Sequence, residues 1–189
     1  MGSSINLAGG GMLAVSRTAL SALRTAMLRD GGPETAGVLR EAGYAGGEAV
    51  WSSFVGWLAS NGHHDPADLS LEELEARASE YFSDAGWGAL SIGTLGTQDG
   101  AVMTVDSVDW GEADATSHLD GPACHFTTGM LADFFGRLSD EPLAVLEVEC
   151  RSTGADRCRF LLGNGDVMTY VFEEMDRGEN YAEAVARVE

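Results

Sequence analysis

Bases are scarce in this 189-residue chain: 11 basic residues stand against 30 acidic ones, a formal net charge of −19. A field of that sign repels phosphate backbones and anionic membrane faces, so nucleic acid is not an expected partner. Long apolar runs are missing as well. No stretch reaches the roughly 18 continuous apolar residues of a spanning helix, and Met1 to Gly11 has no basic flank of a secretory signal. The expectation is a cytoplasmic protein with no membrane insertion. Only three cysteines occur. An odd number leaves a disulfide framework incomplete, which points to reduced thiols, used either for a metal or as small buried hydrophobes. Three further patterns are absent. Without Gly-x-x-x-x-Gly-Lys there is no nucleotide-driven motor, and without Gly-x-Gly-x-x-Gly and its helix reductase chemistry has no visible cofactor platform. Without a Gly-x-Ser-x-Gly elbow, nucleophilic hydrolysis is set aside.

What is present fits one globular core: 44% of residues are hydrophobic and 22% charged. Residues 1–15, with the run Gly9–Gly11, read as a flexible lead-in, and residues 16–189 as a single domain. Ala19, Leu20, Leu23, Met27 and Leu28 recur at helical spacing, and Asp30-Gly31-Gly32-Pro33 ends that helix. A second helix is expected from Pro33 to a stop at Gly43, and a third from about Glu48 to Ala59. Ser70 and Glu73 form a capping box for a fourth, stopped by Gly86 and Gly88. The period then changes to strands over 89–95 and 102–110, turning around Gln98-Asp99-Gly100. Phe126, Met130, Leu131, Phe134 and Phe135 restore a helical period between Pro122 and Gly136. Two strands follow, 143–150 and 158–162, and then a helix capped by Asp166 and a last helical turn over 181–188. Helices first, then an antiparallel sheet interrupted by one helix, is an α+β architecture.

The thiols cluster in the last third of the chain. Cys150 and Cys158 flank a hairpin-sized loop and Cys124 opens the preceding helix. Zinc takes four ligands from Cys, His and carboxylate, so a fourth donor is wanted, and Glu147, Glu149, His118 and His125 are the candidates. Arg151, Arg157 and Arg159 stand beside these residues and would offset the excess negative charge of three thiolates and a carboxylate. Phe54, Trp57, Phe82, Phe126, Phe134 and Phe135, with Trp110 at a strand end, supply aromatic surface enough to line a cavity, although most such residues are simply core. His63 and His64 lie in a polar loop and read as solvated.

Glu147-Val148-Glu149-Cys150, then Gly154, then Cys158-Arg159-Phe160, with Cys124 ahead of an aromatic-rich helix containing Gly129, resembles the 4-vinyl-reductase-type domain family. Arg17, Leu20, Leu23 and Arg24 ahead of Leu39-Arg40-Glu41-Ala42-Gly43-Tyr44 extend the likeness over nearly the whole chain. The resemblance implies a ligand-binding module, found alone or as the sensor part of aromatic-responsive transcription activators. Its fold would be similar to TRAPP transport subunits and related to nitric-oxide sensors. It implies a zinc ion held by Cys124, Glu147, Cys150 and Cys158, with Glu149 and His125 as substitutes for the carboxylate. In a regular strand Glu147 and Cys150 point to opposite faces, so this set needs a bulge or strand end between them. Trp110 takes the place of the family's ligand-facing tryptophan, with Phe126, Phe134, Phe82 and Trp57 as further pocket residues. The segment from Trp110 to Cys124 is shorter than in the aromatic sensors, and their ligand-facing His has no counterpart, so phenol itself is not the implied ligand.

Three functions follow as expectations. The first is a zinc-stabilised module that captures a hydrophobic or aromatic small molecule, or a tetrapyrrole intermediate, for sensing or delivery. The second is a reductase or accessory subunit acting on vinyl-bearing tetrapyrroles in bacteriochlorophyll synthesis. The third is a ligand-free assembly subunit. The family and the apolar first helix also imply a homodimer.

Overall fold

The computed structural model describes residues 5–7, 11–63, 65–96 and 102–188. The expected turn at Gln98–Gly100 and His64 lie outside them. The elements are α1 (Arg17–Asp30), α2 (Thr35–Ser60), α3 (Leu71–Asp84), β1 (Ser91–Leu95), β2 (Val102–Ser107), α4 (His125–Ser139), β3 (Ala144–Glu149), β4 (Cys158–Gly163), α5 (Gly165–Asp176) and α6 (Tyr181–Val185). The four strands form one antiparallel sheet in the order β1-β2-β4-β3. This is the α+β arrangement read from the sequence.

Alternation along the strands separates two cores. In β4, Phe160 and Leu162 enter the larger one with α2, α3 and α4, whereas Leu161 faces Met168 and Val171 of α5 and Val185 of α6. The sheet is therefore covered on both faces. The Ser70–Glu73 capping box forms as expected. The cap of α5 is Asn164, whose side chain accepts from the Asp166 amide, so Asp166 occupies the first turn and is not the cap.

Gly43 does not end a helix. The two expected segments are one 26-residue helix, α2, that runs on through Gly43, Gly46 and Gly47. Gly43 and Gly47 serve contact, not termination. A Cβ at Gly43 would lie 1.9 Å from the Phe126 carbonyl oxygen, one at Gly47 2.5 Å from the Asp133 side chain, and one at Gly129 1.9 Å from the Arg40 carbonyl oxygen. Helices α2 and α4 thus pack backbone against backbone, which fixes where α4 begins and hence where Cys124 sits.

The first helix is held differently. Its one fully buried residue is Arg24. Arg17 donates to the carbonyls of Gly86 (2.9 Å) and Asp109 (3.0 Å), and the Ser21 hydroxyl donates to Asp114 (3.2 Å). The apolar stripe runs off to the side, with Leu20 and Met27 half-buried and Leu23 60% exposed. Ile5 and Met12, ahead of the helix, rest against the larger core.

Candidate metal centre and aromatic array

Three segments converge at the end of the sheet. Cys124 is the residue before α4, Glu147 lies in β3, Cys150 follows that strand, and Cys158 opens β4. One donor atom from each lies within 4.8 Å of all the others, and all four residues are buried. Among the described residues this is the one such group of three or more His, Cys, Asp or Glu side chains.

A bulge makes the set possible. Glu147 pairs with Phe160, but the next pairing is Glu149 with Arg159, so one residue of β3 is extra. Val148 packs into the smaller core, and Glu149 meets Arg157 and Tyr181 on that same side of the sheet. Two successive residues point outward, and Cys150 is returned to the face that Glu147 occupies. Glu149 is excluded as a donor by the same geometry. The 3-10 turn Arg151–Thr153 then carries the chain round, with the amides of Thr153 (3.0 Å) and Ala155 (3.3 Å) both donating to the Cys150 carbonyl. Backbone N–H groups of Ala123 and Arg151 reach the sulfurs of Cys150 and Cys158.

The donor set fits a thiophilic cation. Glu147 Oε2 accepts from the Cys124 amide at 2.8 Å, but Oε1 is buried with no hydrogen-bond partner among the described residues. A buried unpaired carboxylate oxygen is destabilising unless something positive meets it. The sulfurs of Cys124 and Cys150 lie 3.8 Å apart and all three cysteines are free thiols. Burial, and then the charge on Cys150, pushes the Glu147 carboxyl well above its usual range. The neighbouring thiols of Cys150 and Cys158, reinforced by burial, push Cys124 up, while thiol donation from Cys124 and Cys158 pulls Cys150 down. Metal-free, the cluster supports charge on one sulfur and retains its other protons. A cation would displace them on binding. Four protein donors leave no open position, which is the pattern of a structural centre.

The arginines expected beside the ligands do something else. Arg159 pairs with Asp106 (2.6 Å), and Arg157 pairs with Glu149 (2.9 Å) and Asp106 (3.2 Å). The hydroxyl of Tyr181 donates to Glu149 and accepts from Arg159. This network lies on the opposite face of the sheet from the thiols, because Arg159 alternates with the inward Cys158 and Phe160.

Next to the centre, Glu112 caps α4. Its carboxylate accepts from the amides of Phe126 (3.2 Å) and Thr127 (2.8 Å) and from the Thr127 hydroxyl, which in turn accepts from the Trp110 indole N–H at 2.7 Å. Burial raises the Glu112 pKa against these hydrogen bonds. The sequence shows only an acidic stretch here, and nothing in it marks one of its carboxylates as buried.

All five expected pocket aromatics meet in one connected array. Trp57 stacks on Phe54 (6.5 Å between ring centroids), Phe54 meets Phe134 (5.2 Å), Phe134 meets Phe82 (5.1 Å), and Phe82 meets Trp110 (5.7 Å). Trp87, which sequence reasoning missed, then joins Trp110 (5.7 Å) to Phe126 (6.0 Å). Trp57 keeps an indole N–H with no partner among the described residues inside this array. Two open surface clefts lie elsewhere, one by Tyr44, Asp133 and Arg137, the other along α1 by Ser21, Thr25 and Ala113.

Residues 108–164 match the family model of the 4-vinyl-reductase domain, a stretch that holds all four donors, Trp110 and α4. No curated protein matches by sequence. The crystal structure of the phenol-responsive sensory domain of the transcription activator PoxR, with phenol, is similar over 94% of this chain and 85% of that one, at 18% identity and a TM-score of 0.59. A vinyl-4-reductase family protein from Methanocaldococcus jannaschii aligns over 56% of this chain and 71% of that one, at 18% identity and a TM-score of 0.38. The fold shared with the sensory domain extends well beyond the matched segment.

Proposed function

We propose that this chain is a small-molecule-binding module of the sensory type, braced by one zinc ion at Cys124, Glu147, Cys150 and Cys158. The observation that carries it is the convergence of four buried donors within 4.8 Å, brought about by a bulge that has no other evident purpose. Three thiolates and a carboxylate in tetrahedral number favour zinc over harder divalent cations, which prefer more numerous oxygen ligands. Zinc here ties β3, β4 and the start of α4 together, and α4 carries Phe126 and Phe134 of the aromatic array.

The ligand is a hydrophobic or aromatic small molecule. Support comes from the array itself and from the fold shared with a sensory domain crystallised with phenol. Trp110, Phe126, Phe134, Phe82 and Trp57 are the residues assigned to it, and the unpartnered Trp57 indole offers an acceptor-bearing ligand its hydrogen bond. Two copies associate through the apolar stripe of α1 and the chain just ahead of it, where Leu23 is 60% and Val15 64% exposed.

Two measurements test this reading. Elemental analysis of the purified full chain is expected to give one zinc per chain, and folded protein free of metal would overturn the metal assignment. Titration with simple aromatics, long-chain hydrocarbons and a vinyl-bearing tetrapyrrole, read by tryptophan fluorescence, is expected to show saturable quenching by one class. Flat titrations with all three would overturn the ligand assignment.

A further inference from the structure

A buried cation lies behind the thiol turn. Arg24 is 1% exposed and forms no ion pair within 4 Å among the described residues. Its Nη2 donates to the Ser152 hydroxyl at 3.4 Å, and its Nε and Nη1 have no partner among those residues. Burying a guanidinium this incompletely bonded is unfavourable unless negative charge lies close by.

Ser152 shows where that charge is. It sits in the Arg151–Thr153 turn, two residues past Cys150, and is fully buried. Its hydroxyl accepts from the Asp114 amide (2.9 Å) and its carbonyl from the Leu119 amide (2.7 Å). Arg24 therefore grips the back of the turn that presents Cys150. His125, beside Cys124, feels the charge of both Arg24 and Cys150, and Glu112 and Asp114 feel that of Arg24. Arg157 and Arg159 cannot take this position, since they are committed to Glu149 and Asp106 across the sheet.

We infer that Arg24 is the buried counter-charge of the metal-loaded centre, so that metal occupancy and the docking of α1 stabilise each other. The inference rests on the metal reading above. Three thiolates, one carboxylate and a divalent ion leave two net negative charges in a low-dielectric site, and a guanidinium anchored to the adjoining turn offsets part of them. Removing the ion removes the reason for Arg24 to be buried. The remaining bonds from α1, made by Arg17 and Ser21, are partly exposed and hold the helix weakly. By linkage, whatever loosens α1 must weaken the ion by the same factor. The exposed Leu23 stripe rides on this helix, so the state of the metal would be reported at that surface.

The test uses the full chain loaded with zinc. Competition with a chromophoric chelator is expected to show zinc held about 10- to 100-fold more weakly in Arg24→Met, the range for residues supporting metal ligands. Arg24→Lys, which keeps the charge, should recover most of that loss, and packing alone would not produce such a rescue. Hydrogen exchange on the unmutated protein needs no variant to fold. Stripping zinc should speed exchange in residues 17–30 of α1 more than in α3, which packs against α2 and β1. Equal zinc affinity in Arg24→Met and wild type, or α1 exchange unmoved by stripping, overturns this inference and leaves the metal assignment standing. Wild type that binds no zinc overturns the metal assignment itself.

Discussion

Cys158 contributes one sulfur to the cluster at the point where β4 begins, and its replacement by Ser keeps size while exchanging a soft donor for a hard one. Zinc in the Cys158→Ser variant is expected to fall well below one per chain after dialysis. The urea midpoint should fall with it, because the ion's binding free energy is folding free energy for this hairpin. Retention of full zinc would remove Cys158 from the ligand set. Glu112 makes a separate prediction about pH. Burial holds its pKa above the usual carboxylate value despite bonds from Thr127 and Phe126. An acid raised in this way adds stability that is complete below its unfolded pKa of about 4.3 and is lost as pH rises through the folded value. The stability difference between wild type and Glu112→Gln should therefore move in favour of Glu112→Gln as pH climbs from about 4 to 8. Urea midpoints of both proteins across that range check it, and a difference that moves the other way removes the desolvation argument.

At the level of elements, glycine has two opposite meanings in one helix pair. Gly43 and Gly129 meet carbonyl oxygens of the facing helix, whereas Gly56 of α2 has open space where a side chain would go. Gly129→Ala should lower stability by about 1–3 kcal/mol, the usual penalty for overpacking, and by more if α4 is forced off α2. Gly56→Ala should raise it by about 0.5–1 kcal/mol through helix propensity. Denaturant melts of the two variants decide whether the helices touch where the structure has them touch. The same glycines explain why the sequence pattern divides α2 into two helices. Periodicity places apolar faces but does not distinguish a glycine that stops a helix from one that admits a neighbour. The strands, the Ser70 cap and the Cys150–Cys158 hairpin are legible because each depends on residues a few positions apart. For the ligands, the sequence raises the need for a bulge between Glu147 and Cys150 without placing it, and the register shift at Val148 answers that need. Arg24 and Glu112 are out of its reach as site residues, since their burial depends on how α1 and the 112–119 segment fold over the thiol turn.

For the molecule as a whole, charge is distributed unevenly between inside and outside. All 11 basic residues are arginines, and seven of them, from Arg29 to Arg187, are engaged in local ion pairs. Arg24 is buried and Arg17 is tied to two carbonyls. Few bases are left to offset the rest of the 30 acidic side chains, so the folded state carries a self-repelling surface. Sodium chloride has two opposing effects on such a protein. It weakens exposed ion pairs, worth about 0–1 kcal/mol each, and it screens the long-range repulsion, whose reach shrinks from about 30 Å at 0.01 M to about 10 Å at 0.1 M. With a net charge of −19, repulsion is the larger of the two. The thermal midpoint of the zinc-loaded protein should therefore rise as sodium chloride increases from about 0.01 to 0.5 M, most steeply below about 0.1 M where the screening length changes fastest. A midpoint that falls over the same range would mean that the Arg157–Glu149 and Arg159–Asp106 pairs outweigh the whole surface field.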